Sequence, residues 1–209
     1  MPHVSELSRQ LVAVITDVHR RRWCDGTGGN FSCVLQRQPL QLLMAPSGVD
    51  KGLVAETDLI VVDEATQVLE GHGRASAETL LHLEIVQNTG ANAVLHSHSQ
   101  AGTLLSQWAL PRGELILKDL EMLKGLENIQ THACSVGLPV LANDQDLQRL
   151  SAAAAPRLAA APQGLLIAGH GLYAWGRDLF AANRHLQILE FLLEQRWRQL
   201  LLQGLGVQP

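Results

Sequence analysis

Hydrophobic residues recur every three or four positions in several long segments of the chain, which is the spacing of amphipathic helices. The series that includes Leu7, Leu11 and Val14 predicts a helix at the amino-terminal end. In full, the pattern predicts helices over residues 5–22, 76–88, 100–108 and 178–202, a helix that starts at Asn143 or Asp144 and contains Leu147 and Leu150, and a short helical segment over residues 120–125.

Short apolar runs lie between the predicted helices and are typical of strands. They predict strands over residues 32–35, 40–44, 59–62, 93–98, 136–141, 165–168 and 172–175. Because proline has no N–H to donate, Pro139 places the strand over residues 136–141 near a sheet edge. Helices that alternate with short strands, without an internal repeat or a long polar linker, indicate one α/β or α+β domain over residues 1–209.

Composition argues against several classes of function. The 209 residues carry a formal net charge of −4, which suggests no basic surface for nucleic acid or an anionic membrane. The first residues lack the order of a signal peptide, and no apolar run approaches the ~20 residues of a membrane span. Three cysteines without a C-x-x-C pair fit a reducing compartment. We therefore expect a soluble, cytoplasmic protein without a nucleic-acid or membrane partner.

The apolar run that starts at Ala93 ends in His96-Ser97-His98, which predicts a buried strand that stops at a chemical site. Side chains two apart on a strand leave the same face, roughly 6.5–7 Å apart. Both imidazoles can therefore bind one ion at about 2.0–2.1 Å. Catalytic zinc usually has three protein ligands and one open position. His170 is the candidate third ligand, because it also follows an apolar run and stands between two glycines.

Alternative roles for these histidines stay open on the sequence alone. Gly71-His72-Gly73 has the same form as the segment around His170, although it precedes a predicted helix in a polar stretch. The chain contains nine histidines, so other partners are available. A His-x-His pair can also belong to an ordinary hydrophobic core.

Two loops rich in hydrogen-bond donors follow the first predicted helix. Residues 25–32 contain three glycines with threonine, asparagine and serine, and their free N–H groups and hydroxyls suit an anion nest. This loop lacks the lysine of a P-loop, and a plain tight turn explains it equally well. Residues 46–52 add a serine, two glycines and a lysine that would act as a point charge. Two such loops in one small domain favour a phosphate site.

Two glutamates have structural roles open to them as well as chemical ones. Ser76 suits the N-cap of a predicted helix, and Glu78 suits its first turn, where the helix dipole favours a carboxylate. Glu121 lies in the short helical segment over residues 120–125, where a solvated carboxylate is the default. Residue type and position alone therefore assign no chemical role to either.

Five segments together resemble a known superfamily. Residues 26–32, 46–48, 76–78, 96–99 and 170–176 occur in the order seen in the zinc-dependent class II aldolase/adducin superfamily. The resemblance extends from the first predicted helix to the last. Within the superfamily, residues 45–49, 121–125 and 170–176 are most similar to the dehydratases that act on methylthioribulose 1-phosphate in methionine salvage.

The resemblance implies a three-layer α/β/α fold with a central, mostly antiparallel mixed sheet. It also implies a homotetramer with sites near subunit contacts, one Zn²⁺ per subunit and a small ketose phosphate as substrate. The implied zinc ligands are His96, His98 and His170. The implied contacts to the substrate phosphate are Thr27, Gly29, Asn30, Ser47, Gly48 and Ser76.

The acid/base residue separates the branches of the superfamily. Aldolases use the carboxylate that corresponds to Glu78, together with a tyrosine from a neighbouring subunit, whereas dehydratases use the glutamate that corresponds to Glu121. The single tyrosine here, Tyr173, follows His170 directly in a predicted strand, which argues against the aldolase branch. The resemblance thus implies a hydro-lyase with Glu121 as acid/base and Glu78 as a second candidate. A class II sugar-phosphate aldolase is the alternative. A non-enzymatic adducin-like module is a more distant one, because its expected mark is loss of the metal ligands.

Overall fold

The central sheet of this computed structural model, which describes residues 2–207, contains nine strands among those residues. They are β1 (Asn30–Arg37), β2 (Leu40–Met44), β3 (Ile60–Asp63), β4 (Val68–Glu70), β5 (Ala93–Ser97), β6 (Glu114–Lys118), β7 (Ser135–Leu141), β8 (Gly164–Ile167) and β9 (Gly171–Gly176). The order across the sheet is β4-β3-β2-β1-β5-β9-β8-β7-β6. Each neighbouring pair is antiparallel except β7 and β8.

Helices cover both faces of the sheet. They are α1 (Pro2–Arg20), α2 (Thr79–Thr89), α3 (Gln100–Ala109), α4 (Leu147–Leu158) and α5 (Leu179–Gly204). Side chains alternate between the faces, so that Leu95 of β5 packs with α1, α3 and α5, whereas Val94 packs with α2 and α4. The predicted three-layer α/β/α fold with a mostly antiparallel mixed sheet is therefore confirmed.

The predicted domain extends beyond the residues that the structure describes. The single domain was predicted over residues 1–209, and Met1, Gln208 and Pro209 lie outside the described residues. The division into domains stays a prediction.

Among the helices of residues 2–207, none combines the length and the apolar character that crossing a membrane requires.

Helix α1 begins at Pro2, three residues earlier than predicted, and helices α2 and α4 begin later than predicted. Helix α2 begins at Thr79, because residues 76–78 form a turn in which the Thr79 N–H donates to the Ser76 carbonyl at 3.0 Å. Helix α4 begins after Asp146, whose carboxylate accepts from the backbone N–H groups of the next turn. Asn143 and Asp144 do not cap it; the Asp144 carboxylate binds Arg149 instead.

The prediction that the strand with Pro139 lies near a sheet edge is confirmed, because β7 lies next to the edge strand β6. The alternating side chains of β6, exposed and buried in turn, were not recognised as a strand. Proline is tolerated in β7. Strand β8 pairs with β7 only at Val140 and Leu141, so Pro139 has a neighbouring strand on one side only.

A buried polar pair connects β1 to α2. The Ser32 hydroxyl lies 2.7 Å from Nδ1 of His82, and both side chains are fully buried. The His82 ring meets the Tyr173 ring edge to face at 5.8 Å. Burial lowers the pKa of His82 to about 4, and the nearby Glu78 carboxylate opposes this shift only in part.

Protonation of His82 is expected to destabilise the fold in mild acid. Its pKa is lower in the folded than in the unfolded chain, so the unfolded chain binds more protons and stability falls as pH falls below the unfolded value. For this group the free energy of unfolding should fall by about 2 kcal/mol between about pH 7.5 and about pH 5. Urea unfolding at both pH values measures this loss, which should shrink by that amount in His82→Gln. Equal losses in the two proteins would contradict the assignment.

Candidate metal centre and active site

The pairing of β5 with β9 brings the three predicted histidine ligands together. His96 lies in β5 opposite Tyr173 of β9, and His98 directly follows the strand. His170 lies in the turn just before β9. Because the strands are antiparallel, the end of β5 lies beside the start of β9. A Cβ on Gly171 would collide with the Ser97 carbonyl, so glycine permits this close approach.

The ligand atoms of this cluster point toward one another. Nε2 of His96 lies 2.7 Å from Nε2 of His98 and 3.3 Å from Nε2 of His170. Oε1 of Glu78 lies 2.9 Å from Nε2 of His170 and 3.8 Å from Nε2 of His96. One ligand atom from each of the four residues lies within 4.8 Å of all the others. We call Glu78, His96, His98 and His170 the histidine–glutamate cluster.

The chemistry of this cluster fits a divalent metal ion. Nδ1 of His96 lies 3.0 Å from the Leu172 carbonyl, which fixes the proton on that nitrogen and leaves Nε2 free to bind an ion. Burial lowers the pKa of both His96 and His98, which keeps these imidazoles neutral. Two ligand atoms that bind one zinc ion at its usual bond length, in tetrahedral geometry, lie roughly 3.3 Å from each other. The ligand atoms of the cluster have separations close to this value. Hydrogen bonds alone do not explain the arrangement, because a neutral imidazole has only one N–H.

Glu78 enters the cluster from the turn before α2. Its carboxylate accepts hydrogen bonds from His170 and from the Asn30 amide. Burial on its own raises the pKa of Glu78, but the His170 hydrogen bond and the charges of His96, His170 and His82 together lower it to about 2. Glu78 is thus a carboxylate at neutral pH, directed at the imidazoles and not at solvent.

A cavity of about 410 Å³ lies beside the cluster and contains the predicted phosphate contacts. Among the residues that line it are Thr27, Gly29, Asn30, Ser47, Gly48 and Ser76, together with Glu78 and His98. The two donor-rich loops and the turn before α2 therefore meet at one place, next to the candidate metal ligands. We call this space the donor cavity.

A buried lysine adds positive charge to the donor cavity. Lys51 is 1% exposed, and its Nζ lies 3.2 Å from the Thr27 carbonyl and 3.1 Å from the Val49 carbonyl, so it joins the two loops. Burial lowers its pKa. Within the part of the chain that the structure describes, no carboxylate lies within ion-pair distance of Lys51. A buried cation without an acidic partner favours an anionic ligand.

Two further residues of the donor cavity were missed from the sequence. Arg74 lines it, and its carbonyl accepts from the Ser47 N–H at 2.9 Å. An arginine two residues before Ser76 was the available signal. Gln145 also lines the cavity, but it comes from the segment before α4, and nothing in the sequence connects that segment with the loops.

Glu121 lies outside the histidine–glutamate cluster. Its side chain is 69% exposed, and its carboxylate lies 2.7 Å from Nζ of Lys124 and 3.6 Å from Nδ1 of His132. The hydrogen bond from Lys124 lowers its pKa. The next residue, Met122, lines a cavity of about 740 Å³ that His98 also lines. Residues 121–125 thus border the site, although the Glu121 carboxylate itself points toward Lys124 and His132.

Comparison with known proteins shows which family this chain is similar to. The family model of the class II aldolase and adducin N-terminal domain matches residues 9–197. The methylthioribulose-1-phosphate dehydratase of Serratia proteamaculans (strain 568) is 41% identical over 203 residues, which cover 94% of this chain and 98% of that protein. The dehydratase of the same name from Persephonella marina is 35% identical over 204 residues, or 95% of this chain and 94% of that protein.

Solved structures agree with the fold. The L-fuculose-1-phosphate aldolase of Thermus thermophilus matches with a TM-score of 0.75 and 26% identity, over 96% of this chain and 98% of that one. A sugar-phosphate aldolase from Thermotoga maritima matches with a TM-score of 0.79 over 99% of both chains. Its identity of 19% supports the fold alone.

Metal content should depend on His170 and not on His72, which stands in the other Gly-His-Gly segment. His170→Ala removes one ligand atom of the cluster and should lower metal affinity by more than the roughly 10–100-fold that loss of a supporting contact costs. His72→Ala is the matched control, because that residue is exposed in a turn. Elemental analysis after chelation and reconstitution measures the metal bound per chain. Full metal content in His170→Ala would contradict the assignment.

Proposed function

This chain belongs to the class II aldolase and adducin family, and on that premise we propose that it is a dehydratase. Its reaction would convert 5-methylthioribulose 1-phosphate to 5-methylthio-2,3-dioxopentyl phosphate and water, a step of methionine salvage. Relatives with the name methylthioribulose-1-phosphate dehydratase, 35–41% identical over almost the whole chain, support this proposal. The observation that carries it is the histidine–glutamate cluster, which lies beside a donor cavity that contains a buried lysine.

The donor cavity is proposed to bind the substrate phosphate. Hydroxyls of Thr27, Ser47 and Ser76 and the backbone N–H groups of the glycines supply neutral donors, and Lys51 supplies a positive charge. Because the phosphate is remote from the reacting carbons, its binding energy can serve to position them. His98 lines both cavities, so the rest of the substrate would extend past the imidazoles toward the larger cavity.

The metal is proposed to be zinc, held by His96, His98 and His170 with Glu78 beside it. When bound, zinc supplies Lewis-acid stabilisation of the negative charge that develops on the C2 and C3 oxygens of the substrate. The protein's own part is to hold three imidazoles at the ends of a rigid strand pair and to keep one side open to the donor cavity.

Two proton transfers complete the reaction. A base removes the C3 proton, and the electron pair moves toward the C2 carbonyl and then expels the C4 hydroxyl, which an acid protonates to water. The enol product loses the proton of its C3 hydroxyl and gains one at C4, which gives the 2,3-diketone. Glu121 is proposed as this acid/base. The strong stabilisation of the Glu78 carboxylate makes it a poorer base, because a base works best when its pKa is near the working pH.

The surface position of Glu121 is consistent with a site that an assembly completes. In one protomer the carboxylate contacts Lys124 and His132, while Met122 beside it borders the cavity that leads to His98. We propose a cytoplasmic homotetramer in which subunit contacts bring Glu121 to a metal site.

A sugar phosphate is the named substrate of the solved fuculose-phosphate relative, which supports a small phosphorylated ligand.

The position of the single tyrosine favours dehydration over aldol cleavage. Tyr173 is fully buried and stacks on His96 with a ring distance of 3.9 Å. Burial raises its pKa well above the usual value, so its hydroxyl is a poor proton donor. This tyrosine therefore packs beneath the metal site and does not reach a neighbouring subunit as the acid of an aldolase would.

Purified protein should form the 2,3-diketone from methylthioribulose 1-phosphate in a zinc-dependent manner. A chelator should abolish the activity, and added Zn²⁺ should restore it, because the imidazoles alone do not stabilise the developing charge. The diketone and released aldehyde are both measured, with fuculose and ribulose phosphates as comparison substrates. Aldehyde release without diketone formation would favour the aldolase alternative.

Glu121→Gln should lower kcat by about 10²–10⁴-fold, the usual contribution of a positioned acid/base, with zinc retained. Glu56→Gln changes another exposed glutamate in the same way and should leave kcat unchanged. Turnover and metal content are measured on the same samples. Normal turnover by Glu121→Gln would contradict the acid/base assignment.

Mixing two inactive variants tests whether Glu121 acts across a subunit contact. Glu121→Gln and His98→Ala damage different parts of the site, so mixed oligomers should regain part of the activity if the parts come from different subunits. Absence of any recovery, in oligomers shown to exchange subunits, would place the Glu121 carboxylate in its own protomer.

A further inference from the structure

A buried acid interrupts an apolar helix face beneath the metal site. Helix α5 packs on the sheet through leucines that include Leu186, Leu189 and Leu193, all fully buried. Glu190 belongs to the same buried part of the helix and is 2% exposed. Burial of a carboxyl group is unfavourable unless it is well hydrogen-bonded, so its partners identify what it does.

The partners of Glu190 are the two serines that flank His98. The Ser97 hydroxyl donates to Oε1 of Glu190, and the Ser99 hydroxyl also hydrogen-bonds the carboxyl. Ser97 points away from the imidazoles because side chains alternate along β5, and this places its hydroxyl on the α5 side of the sheet. Ser99 is the N-cap of α3 and accepts from the Gly102 N–H at 3.0 Å.

His98 stands between two residues with backbone restraints: Ser97 pairs with Leu172 of β9, and the Ser99 carbonyl accepts from the Thr103 N–H at 2.9 Å. Strand β5 ends at Ser97 and α3 begins at Gln100, so His98 lies in the short connection between them. Its N–H donates to the Trp23 carbonyl at 2.6 Å. The side-chain contacts of Glu190 hold the residue on either side. Glu190 thus adds side-chain hydrogen bonds on both sides of His98, from a helix that contributes no ligand of its own.

We propose that Glu190 is a positioning residue that clamps residues 97–99 and thereby directs the His98 imidazole at the metal. The inference rests on the metal site proposed above. A role in stability alone accounts for Glu190 less well, because an apolar side chain in place of a buried charged group is often neutral or stabilising. What a leucine at position 190 would not replace is the pair of hydrogen bonds to the serines.

Zinc affinity of the full-length protein, measured by competition with a chelator, tests the proposal. Glu190→Leu should weaken zinc binding about 10–100-fold, the usual effect of losing a contact that orients a ligand. The visible absorption spectrum of the Co²⁺-substituted protein should change as well, because it reports coordination geometry. Glu190→Gln should bind zinc within about 3-fold of the wild type, since the amide oxygen still accepts from the serines. Glu194→Leu, one turn further along α5 and paired with Arg198, is the matched control and should bind zinc normally.

A purely structural role of Glu190 and a positioning role predict different thermal stabilities and zinc affinities for its variants. The proposal expects the thermal midpoint of metal-free Glu190→Leu to stay near that of the wild type, while the added stability from zinc shrinks. A lower midpoint with unchanged zinc affinity and an unchanged cobalt spectrum would overturn it. If Glu190→Leu does not fold, Ser97→Ala removes one of the same hydrogen bonds and should weaken zinc binding several-fold. Normal zinc binding by Ser97→Ala would then overturn the proposal, whereas a wild type that binds no zinc would refute the metal site itself.

Discussion

The backbone pairing of β5 with β9 is the constraint on which the site depends. The register that sets His96 opposite Tyr173 also sets the end of β5 beside the turn that carries His170. A shift by one residue would direct His96 into the layer of α1, α3 and α5, because neighbouring side chains leave opposite faces. The fully buried Tyr173 ring, stacked on the His96 ring, makes such a shift costly. Hydrophobic packing at the centre of the sheet thus fixes the geometry of a polar cluster at the ends of its central strands.

The electrostatics of the site follow from how each charged group is buried. Neutral imidazoles and a carboxylate form one compartment, and an ammonium group held by two carbonyls forms the next. Each group would be expensive to bury alone. A divalent cation and a phosphate have the charges that would compensate these two compartments. The fold therefore buries a carboxylate and an ammonium group close to each other, each at a cost in free energy. A metal ion beside the first and a phosphate beside the second would compensate both charges.

The family shares its fold among different reactions, so the fold alone does not select the chemistry. The similarity to solved sugar-phosphate aldolases concerns the scaffold, the sheet and its helical layers. The choice between aldol cleavage and dehydration depends on which proton donor reaches the substrate. Here the only tyrosine of the chain is enclosed in the core, whereas Glu121 stands exposed next to a cavity that reaches His98. Because of these two positions, the protein fits the dehydratase branch better.

The sequence by itself determined the helices, most of the strands, the His-x-His strand end and the donor-rich loops, because these patterns are local and periodic. The choice of His170 over His72 depended on its place at a strand end, and the roles of Glu78 and Glu121 depended on a resemblance to a family. Only the tertiary structure decided that Lys51 lacks an acidic partner among the described residues, that Arg74 and Gln145 line the same cavity, and that Glu190 hydrogen-bonds the serines on either side of His98. Each of these facts joins segments far apart in the chain. Spacing along a sequence carries no information about which distant side chains share one buried volume.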